Sequence, residues 1–514
     1  MYRFFETLPG AFAWFTLALI VVCSWRLPAA VAIFIILFDI YWLLKAIYLS
    51  LHLRSTFSRM RENLKVNWIG KLHGEPHTRD WAEIYHLVIF PMYREPYEVV
   101  RESFESLRRA DYPLDKFIVV LATEERVGAE ARALAEKIKS EFAPSFFKFL
   151  VTVHPEGLPG EISGKGSNET WAAKEAVRLA IDHARIPHER VLVSVFDVDT
   201  HIFPAYFSRL TYVFLHAADR LRAMYQPIPL FTNNIYQAPA LARVVAFSAT
   251  FWQMMQQSRP ERLTTFSSQS VPLRVLEDIG FWHTNVVSED SRIFWQGYLR
   301  YHGDFRVEPL LYPVSMDANV APTFWGTMKN LYAQQRRWGW GVENVPYMLD
   351  GFRKDSRIPR RKKWYWSWNV LEGFHSWATN SLMIFALGWL PIAIGGQRFH
   401  YTLLSYSLPQ ITRFVMGLSM VGIATSAIIS ILLLPERPKW FLRRHYVLYA
   451  LQWLLIPITL IVFGAFPGLE AQTRLMLGGR FRLGFWVTPK WRSPESGKGV
   501  GGKHKGSPVS EDRR

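Results

Sequence analysis

Hydrophobic positions form long runs toward the two ends of the chain and short runs between them. Near the N-terminus, residues 10–24 and 29–50 are almost wholly apolar, and each run is long enough, or nearly so, to cross a bilayer as a helix. Residues 25–28 separate the runs, which predicts a membrane hairpin. A cleaved signal peptide ending near residue 30 is the alternative, but no polar mature start follows it.

Three further apolar runs, residues 364–394, 411–434 and 446–466, follow in the C-terminal part. The first contains Glu372, His375 and Asn380, which are costly in lipid and are expected to face protein or a channel. A satisfied polar cluster and a path for a polymer both fit this pattern. Three spans here would leave the basic residues that follow outside the cell, against the charge bias. One run, either 446–466 or the polar start of the first, is therefore expected to be interfacial or re-entrant.

Between the end regions, short apolar runs alternate with helical patterns from Tyr85 to about Phe231. The pattern predicts strands over 86–91, 117–122, 147–154, 191–200 and 224–232, and helices over 97–110, 128–142, 169–184, 201–221 and 238–257. This alternation is typical of an α/β fold in which parallel strands are joined by crossover helices on both faces. No Gly-x-Gly-x-x-Gly follows the first strand, so a dinucleotide-binding domain loses its main support.

These patterns divide the chain into consecutive parts. They are an N-terminal transmembrane hairpin (1–53), an interfacial linker (54–84), a cytoplasmic α/β domain (85–347), interfacial and C-terminal transmembrane helices (348–468), a further segment (469–492) and a disordered tail (493–514).

Composition and charge support a membrane protein. Half of the residues are hydrophobic, and the chain has 21 Trp, 21 Tyr and 36 Phe, which is unusual for a soluble protein. The net charge of +17 comes from basic residues that flank apolar runs, as at 353–363 and 437–444. This placement favours the cytoplasmic side of a membrane over a nucleic-acid partner. Cys23 is the only cysteine, which excludes an internal disulfide and a thiol metal site and favours a reducing compartment.

The most informative stretch is Val191–Thr200, an apolar strand that ends in Asp197 and Asp199. In open α/β sheets ligands lie at the carboxyl ends of the strands, where two carboxylates can bind one divalent cation. A solvated turn after the strand is the simpler alternative. Other charged side chains follow the neighbouring strands, where they fit a nucleotide and its diphosphate or are merely solvated. They are Glu95, Glu124, Glu125 and Lys165.

Two more clusters lie further along the chain. Glu289 and Asp290 precede a helical pattern, where the helix dipole favours an ionised carboxylate, although a plain N-cap fits equally well. Gln334, Arg337 and Trp338 lie on one face of a predicted helix. An indole ring and a guanidinium group suit a sugar and a diphosphate, while an amphipathic membrane anchor is the alternative.

The order Asp197-x-Asp199, Glu289-Asp290 and Gln334-x-x-Arg337-Trp338 resembles the processive family 2 glycosyltransferases, the group of cellulose, chitin and hyaluronan synthases. The resemblance covers roughly residues 85–347. In addition, residues 485–490, Phe-Trp-Val-Thr-Pro-Lys, are similar to the Phe-x-Val-Thr-x-Lys gating loop of cellulose synthases. The chain departs from the family pattern in two respects. Glutamates stand at 124 and 125 where the family has an aspartate pair, and the gating-like segment follows the last apolar run.

The resemblance implies a type-A glycosyltransferase (nucleotide-diphospho-sugar transferase, Rossmann-like) domain flanked by transmembrane helices. It implies that Asp197 and Asp199 bind Mg2+ or Mn2+ and the donor diphosphate. It further implies that Asp290 is the general base and that Glu289 and the Gln334, Arg337 and Trp338 platform bind substrate. The implied activity is the transfer of a sugar, with inversion, from a nucleotide-diphospho-sugar to a growing β-linked glycan. The resemblance also allows processive extension, with export of the glycan through the helices of the same chain.

Two alternatives stay open on the sequence alone. The first is a transferase that adds a single sugar to a lipid or other membrane acceptor. The second is a nucleotide-binding membrane scaffold or transporter. The expected partners are the donor, a glycan or lipid acceptor and the inner or plasma membrane. Neither nucleic acid nor an obligate protein partner is expected.

Overall fold

The computed structural model describes residues 1–491, so the tail predicted over 493–514 lies outside the described residues. Its α/β part is built on one eight-stranded sheet with the strand order β3-β2-β1-β4-β7-β6-β8-β5. The strands are β1 (Tyr85–Pro91), β2 (Phe117–Glu124), β3 (Lys148–His154), β4 (Val191–Val195), β5 (His201–Ile202), β6 (Ala223–Leu230), β7 (Ser270–Pro272) and β8 (Arg306–Ser315).

Helices surround this sheet and extend from it on one side. In chain order they are α1 (Tyr2–Arg26), α2 (Pro28–Asn63), α3 (Trp68–Gly74), α4 (Tyr97–Arg108), α5 (Ala129–Phe142), α6 (Lys165–Ala176), α7 (Tyr206–His216), α8 (Ala240–Gln257), α9 (Leu273–Asp278), α10 (Glu289–Arg300), α11 (Phe324–Gly339), α12 (Asn344–Lys354), α13 (Arg360–Phe385), α14 (Leu390–Ile394), α15 (Gly396–His400), α16 (Leu403–Leu432), α17 (Arg443–Leu451), α18 (Ile456–Leu460) and α19 (Phe466–Leu477).

The four strands β3, β2, β1 and β4 are parallel, as the strand and helix alternation predicts. Every residue of β2 and β4 is buried, because helices cover both faces of the sheet. One hydrophobic core lies on each face, the first around Phe104 and Phe117 and the second around Val193 and Trp295. The predicted α/β fold with apolar flanking helices is thus confirmed.

The other half of the sheet is mixed, which the sequence did not indicate. Strand β7 is antiparallel to both β4 and β6, and β5 is antiparallel to β8. Strand β7 has only three residues, and β8 contains Pro309 and Pro313, so neither shows a strand period. The helix predicted over 201–221 was wrong at its start, because His201 and Ile202 pair with β8 and the helix begins at Tyr206.

Several helices are long and apolar enough to cross a membrane. By length and composition these are α1, α2, α16 and the segment Arg443–Leu477, and α13 forms a fifth with Leu387–Ile394 across a 46° bend. Helix α2 is continuous to Asn63 and so runs through residue 53, where the boundary between the hairpin and the interfacial linker is predicted. Five apolar regions therefore agree with the runs seen in the sequence.

The polar side chains predicted within the first C-terminal run contact neighbouring helices. Glu372 of α13 accepts hydrogen bonds from Lys45 of α2 at 3.3 Å and from Ser376 at 2.7 Å. His375 is hydrogen-bonded to Thr16 of α1 at 2.9 Å, and Asn380 is buried. These groups thus face protein, and the hydrogen bonds of Glu372 and His375 favour the satisfied polar cluster.

The segment Arg443–Leu477 has polar contacts with the α/β part near both of its ends. Arg243 of α8 donates to Gln452 at 2.7 Å, and Arg336 of α11 donates to Glu470 at 2.8 Å. Residues 478–491 then return to the sheet, where Lys490 reaches Asp199. The C-terminal part of the chain is therefore attached to the α/β part along its length.

Candidate active site

A cavity of about 110 Å³ lies at the carboxyl ends of β1, β2 and β4. The first two strands contribute residues from the turns that follow them, and β4 contributes the Asp-x-Asp. The predicted site residues that line the cavity are Glu95, Glu124, Lys165, Asp197, Asp199, Asp290, Gln334, Arg337 and Trp338. The structure therefore brings together residues that are up to 243 positions apart in the sequence.

Two of the predicted residues do not line the cavity. Glu125 is exposed, and its carboxylate accepts a hydrogen bond from the amide of Glu156 at 3.1 Å. Glu289 is buried behind Asp290, close to Lys165. Burial and the neighbouring Asp290 raise the pKa of Glu289 well above its usual range, which favours its protonated form.

Asp197 is held by two groups from different parts of the chain. Lys165, at the first position of α6, approaches its Oδ1 at 2.8 Å, and the Ser267 hydroxyl donates to its Oδ2 at 3.0 Å. Although burial acts to raise it, the pKa of Asp197 is lowered because Lys165 and Lys490 lie nearby. Asp197 is therefore an anion that faces the N-terminus of α6, where a phosphate group can also bind.

Asp199 is fully buried at the end of the same turn. Its Oδ2 accepts hydrogen bonds from Lys490 at 2.6 Å and from the Asp317 amide at 3.0 Å, while its Oδ1 is buried without a hydrogen-bond partner. An unpartnered buried carboxylate oxygen is costly in a finished site and points to a missing ligand.

Asp317 is a cavity residue that sequence reasoning missed. It follows β8, which was itself not predicted, and the pairing of β8 with β5, the short strand that begins just after Asp199, brings it beside Asp199. Burial and the adjacent Asp199 raise the pKa of Asp317 to about 8. A lone aspartate after an unrecognised strand carries no signal by which the sequence could have identified it.

A divalent cation fits the chemistry of Asp197 and Asp199, since carboxylate oxygens are the ligands that Mg2+ and Mn2+ prefer. Among the side chains that the structure describes, no group of three or more acids, histidines or cysteines is arranged to hold a metal ion. A cation bound here would thus need further oxygens from outside the chain, such as those of a diphosphate.

Lys165 also contacts a second buried acid, Glu169, at 3.3 Å. Burial raises the pKa of Glu169 to about 7, against the effect of the lysine. The pKa of Lys165 is itself raised, since Asp197 and Glu169 outweigh the opposing effect of burial. This ammonium group therefore stays positively charged inside the site.

Asp290 is the second residue of α10 and is half-buried. Its Oδ1 accepts only the amide of the next residue, Ser291, at 2.8 Å among the hydrogen bonds of the described residues. The N-cap position belongs to Ser288, so the plain N-cap alternative for Asp290 is wrong. Burial raises the pKa of Asp290, while Lys165 and Arg337 act against that rise. A carboxyl with a raised pKa is a better proton acceptor.

The Gln334, Arg337 and Trp338 side chains reach the cavity from α11. The Trp338 ring lies 6.0 Å from Phe231 and 5.7 Å from Phe266, measured between ring centroids. These two phenylalanines also line the cavity, and sequence reasoning missed them because they lie in separate loops. The two rings are inclined to the indole by 41° and 76°, so they form with Trp338 an apolar aromatic wall, a surface to which a sugar ring can bind.

Residues 485–490 lie in the cavity. A Cβ on Gly164 would come within 2.8 Å of the Phe485 ring, and the Arg337 guanidinium lies 5.5 Å from that ring. The Thr488 hydroxyl is buried without a partner, and Lys490 occupies the position next to Asp199. This segment thus fills space beside the carboxylates.

Two acidic side chains of the cavity, Glu95 and Glu124, already accept hydrogen bonds from other groups of the chain. Glu124 accepts two hydrogen bonds from Arg126, at 2.7 and 3.0 Å. Glu95 accepts the amide of Tyr93 at 2.7 Å, and burial raises its pKa. Of these two, Glu95 keeps the freer carboxylate toward the cavity.

Comparisons with known proteins add a limited likeness. No family model matches the sequence, and no curated protein sequence matches it. Among solved structures, the chain is similar to a mannosyltransferase from Pyrobaculum calidifontis in complex with GDP-Man and Mn2+, at 14% identity and a TM-score of 0.40, over 74% of this chain and 99% of that one. It is also similar to S. aureus TarS 1–349 in complex with UDP-GlcNAc, at 13% identity and a TM-score of 0.36, over 67% of this chain and 90% of that one. At such scores the function has to be argued from the cavity.

Proposed function

We propose that the chain is a membrane-bound, metal-dependent inverting glycosyltransferase of the family 2 type, which transfers a sugar from a nucleotide-diphospho-sugar to a glycan or lipid acceptor. The observation that carries this proposal is the convergence in one cavity of the Asp197 and Asp199 carboxylates, Asp290 and the Gln334, Arg337 and Trp338 platform. A scaffold that merely binds nucleotide would not need the last two.

The donor diphosphate would bind between the N-terminus of α6 and Arg337. Cleavage of the bond between the anomeric carbon and the phosphate leaves negative charge on phosphate oxygens. Lys165, held by Asp197 before the reaction, and Arg337 in the cavity wall would stabilise that charge. A divalent cation held by Asp197 and Asp199 would add further stabilisation of the leaving diphosphate.

Asp290 would accept the proton of the acceptor hydroxyl as that hydroxyl attacks the anomeric carbon. Its half-buried position and raised pKa suit this role, which typically contributes a factor of about a hundred to ten thousand. Attack from the face opposite the diphosphate inverts the anomeric centre. The aromatic wall of Trp338, Phe231 and Phe266 would hold the acceptor sugar against Asp290.

Residues 478–491 would have to withdraw for the donor to bind. Small-molecule sites usually measure about 300–1,000 Å³, whereas the cavity measures about 110 Å³ with this segment inserted. Gly478 and Gly479 at its start have φ values of +66° and +54°, in the left-handed region that favours glycine. The segment thus leaves α19 through a turn that glycine allows, and its withdrawal in a gating-like role would pivot at this turn.

The path of the acceptor distinguishes extension of a polymer from transfer of one sugar. Polymer export would need a polar path between the helices, in which Glu372 and His375 are the natural lining groups. Both are hydrogen-bonded to neighbouring helices, an arrangement that favours a single-sugar transferase as the second candidate.

The segment Arg443–Leu477 is proposed to lie along the membrane surface and not to cross the bilayer. Val447, Leu451 and Leu454 are more than half exposed on one side of it. Trp453 and Phe463 on the other side are buried against the α/β part. An apolar stripe opposite an anchored face is typical of an interfacial helix, and this path keeps residues 478–491 on the side of the cavity.

The proposal is tested with the purified protein and radiolabelled UDP- and GDP-sugars, with and without Mn2+. Release of a nucleoside diphosphate together with a labelled product of inverted configuration is expected. Asp290→Asn should lower transfer at least a hundredfold while nucleotide binding persists. Sizing of the product separates polymer from mono-adduct. Full transfer by Asp290→Asn would contradict the mechanism, and absence of turnover with every donor would contradict the proposed activity.

A further inference from the structure

Glu343 lies in the turn between α11 and α12 and binds the segment that carries Asp290. Its Oε1 accepts hydrogen bonds from the amides of Val287 and Ser288, at 3.0 and 2.9 Å, and from the Ser288 hydroxyl at 2.7 Å. Its Oε2 accepts the indole N–H of Trp340 at 3.0 Å. A carboxylate with four donors on two chain segments is fixed in orientation, and hydrogen bonds to a charged acceptor are strong.

A second set of contacts surrounds this carboxylate. Arg292 of α10 donates to the Asn344 side chain at 2.5 Å and to the Glu343 carbonyl at 3.0 Å. The Asn344 amide in turn donates to the Ser291 hydroxyl at 2.9 Å. The first turn of α10 is thereby clamped to the start of α12, on both sides of the residue that we assign as the base.

The clamp around Glu343 lies between the two parts of the site that would bring base and acceptor together. Trp340, whose indole binds Glu343, lies two residues after Trp338 and is only 1% exposed. Glu343 therefore connects the end of the platform helix to the turn that bears Asp290, while its own side chain is not part of the cavity lining. A displacement of about 1 Å between base and acceptor can lower a rate by about a hundredfold.

We propose that Glu343 is a positioning residue, which holds the Asp290 turn at a set distance from the acceptor platform. This inference rests on the proposed function. It assigns Glu343 to the acceptor half of the reaction, because Lys165, Asp197 and Asp199 of the donor half have no contact with it among the hydrogen bonds and ion pairs of the described residues.

The test compares Glu343→Gln and Glu343→Ala with Glu470→Gln as a matched control. Glu470 also accepts hydrogen bonds from several partners and also anchors α11, through Tyr332 and Arg336, but away from Asp290. The expected result is a fall in kcat for transfer of at least tenfold for Glu343→Gln and more for Glu343→Ala. Donor KM and nucleotide affinity should stay within twofold, and the control should keep its kcat within twofold.

Trp340→Phe supplies a milder variant that removes one donor to the carboxylate. Its effect on kcat should be absent in the Glu343→Ala background, which has no acceptor for the Trp340 indole, because Trp340 acts through its bond to Glu343. Additive losses, an unchanged kcat, or a joint loss of kcat and nucleotide affinity would each overturn the positioning role. Wild-type turnover together with an inactive Asp290→Asn variant establishes the proposed function separately, so failure of one inference is distinguishable from failure of the other.

Discussion

The charged side chains of the cavity are each placed in an environment that sets their protonation. Lys165 is kept cationic by Asp197 and Glu169, and Asp197 is kept anionic in return. Asp290 is different, because burial raises its pKa although Lys165, Arg337 and the hydrogen bond from the Ser291 amide act against the rise. At the residue scale, the site thus separates fixed charges, which suit a diphosphate, from a carboxyl that suits proton transfer.

The raised pKa of Asp290 predicts the acidic side of the pH profile. Below that pKa the carboxyl is protonated and cannot accept a proton, so kcat should fall as the pH is lowered. Because the shift is upward, the fall should begin above the usual aspartate pKa of about 3.9. Measurement of kcat from pH 4.5 to 9 at saturating donor checks this. A constant kcat down to pH 4.5 would contradict the assignment.

Lys490 places an ammonium group 2.6 Å from Asp199, where it would compete with the proposed divalent cation. Lys490→Met should therefore increase the affinity for Mn2+ in the absence of donor, by about tenfold or about 1.4 kcal/mol. A titration monitored by electron paramagnetic resonance measures the free Mn2+. The exposed Lys329 offers the control Lys329→Met, which should leave the affinity unchanged. Equal affinities in wild type and Lys490→Met would exclude the competition.

At the scale of elements, the insertion of residues 485–490 depends on a glycine, Gly164, directly before α6. Gly164 allows Phe485 to pack closely against the backbone, and an added Cβ would have 2.8 Å to the ring, which is closer than real contacts allow. This close contact is therefore one of those that hold the inserted segment against the start of α6.

Gly164→Ala is expected to displace the inserted segment, because neither the α6 backbone nor the Phe485 Cβ can easily move aside. Trypsin should then cleave after Lys490 severalfold faster than in the wild type, as followed by mass spectrometry. Gly74→Ala serves as the control, since a Cβ there would have no heavy atom within 4 Å. Unchanged cleavage in Gly164→Ala would show that the packing does not hold the segment.

For the whole molecule, the path of Arg443–Leu477 determines on which side of the bilayer the C-terminal part lies. If this segment lies on the surface, residues on both sides of it share the compartment of the cavity. If it crosses, they are separated. The loops around Leu27 and Tyr401 belong to the opposite end of the molecule, where Pro28 packs against Gly395.

Cysteine labelling tests this arrangement in a Cys23→Ser background, since Cys23 is the only native thiol. An impermeant maleimide should label Leu27→Cys and Tyr401→Cys in intact cells. Arg437→Cys and Arg480→Cys should react only after permeabilisation, because both flank the surface segment on the inner side. Labelling of just one of these two in intact cells would mean that the segment crosses the bilayer.

Much of the molecule was predictable from the sequence, because the information is local. The long apolar runs and the alternation of strand and helix patterns follow from the period of hydrophobic positions, so α1, α2, α16 and the parallel strands were expected. Charged residues at strand ends were likewise recognisable, as with Asp197 and Asp199 after β4.

Other features depend on contacts between distant parts of the chain, and no local pattern contains them. The pairing of β8 with β5 brings Asp317 to Asp199, and the packing of loops places Phe231 and Phe266 beside Trp338. The same holds for the Glu343 carboxylate. The sequence thus determined which segments are helix, strand or membrane-like and which residue types are present for chemistry. Only the tertiary structure decided which of those residues share a cavity, since that depends on long-range packing and not on local periodicity.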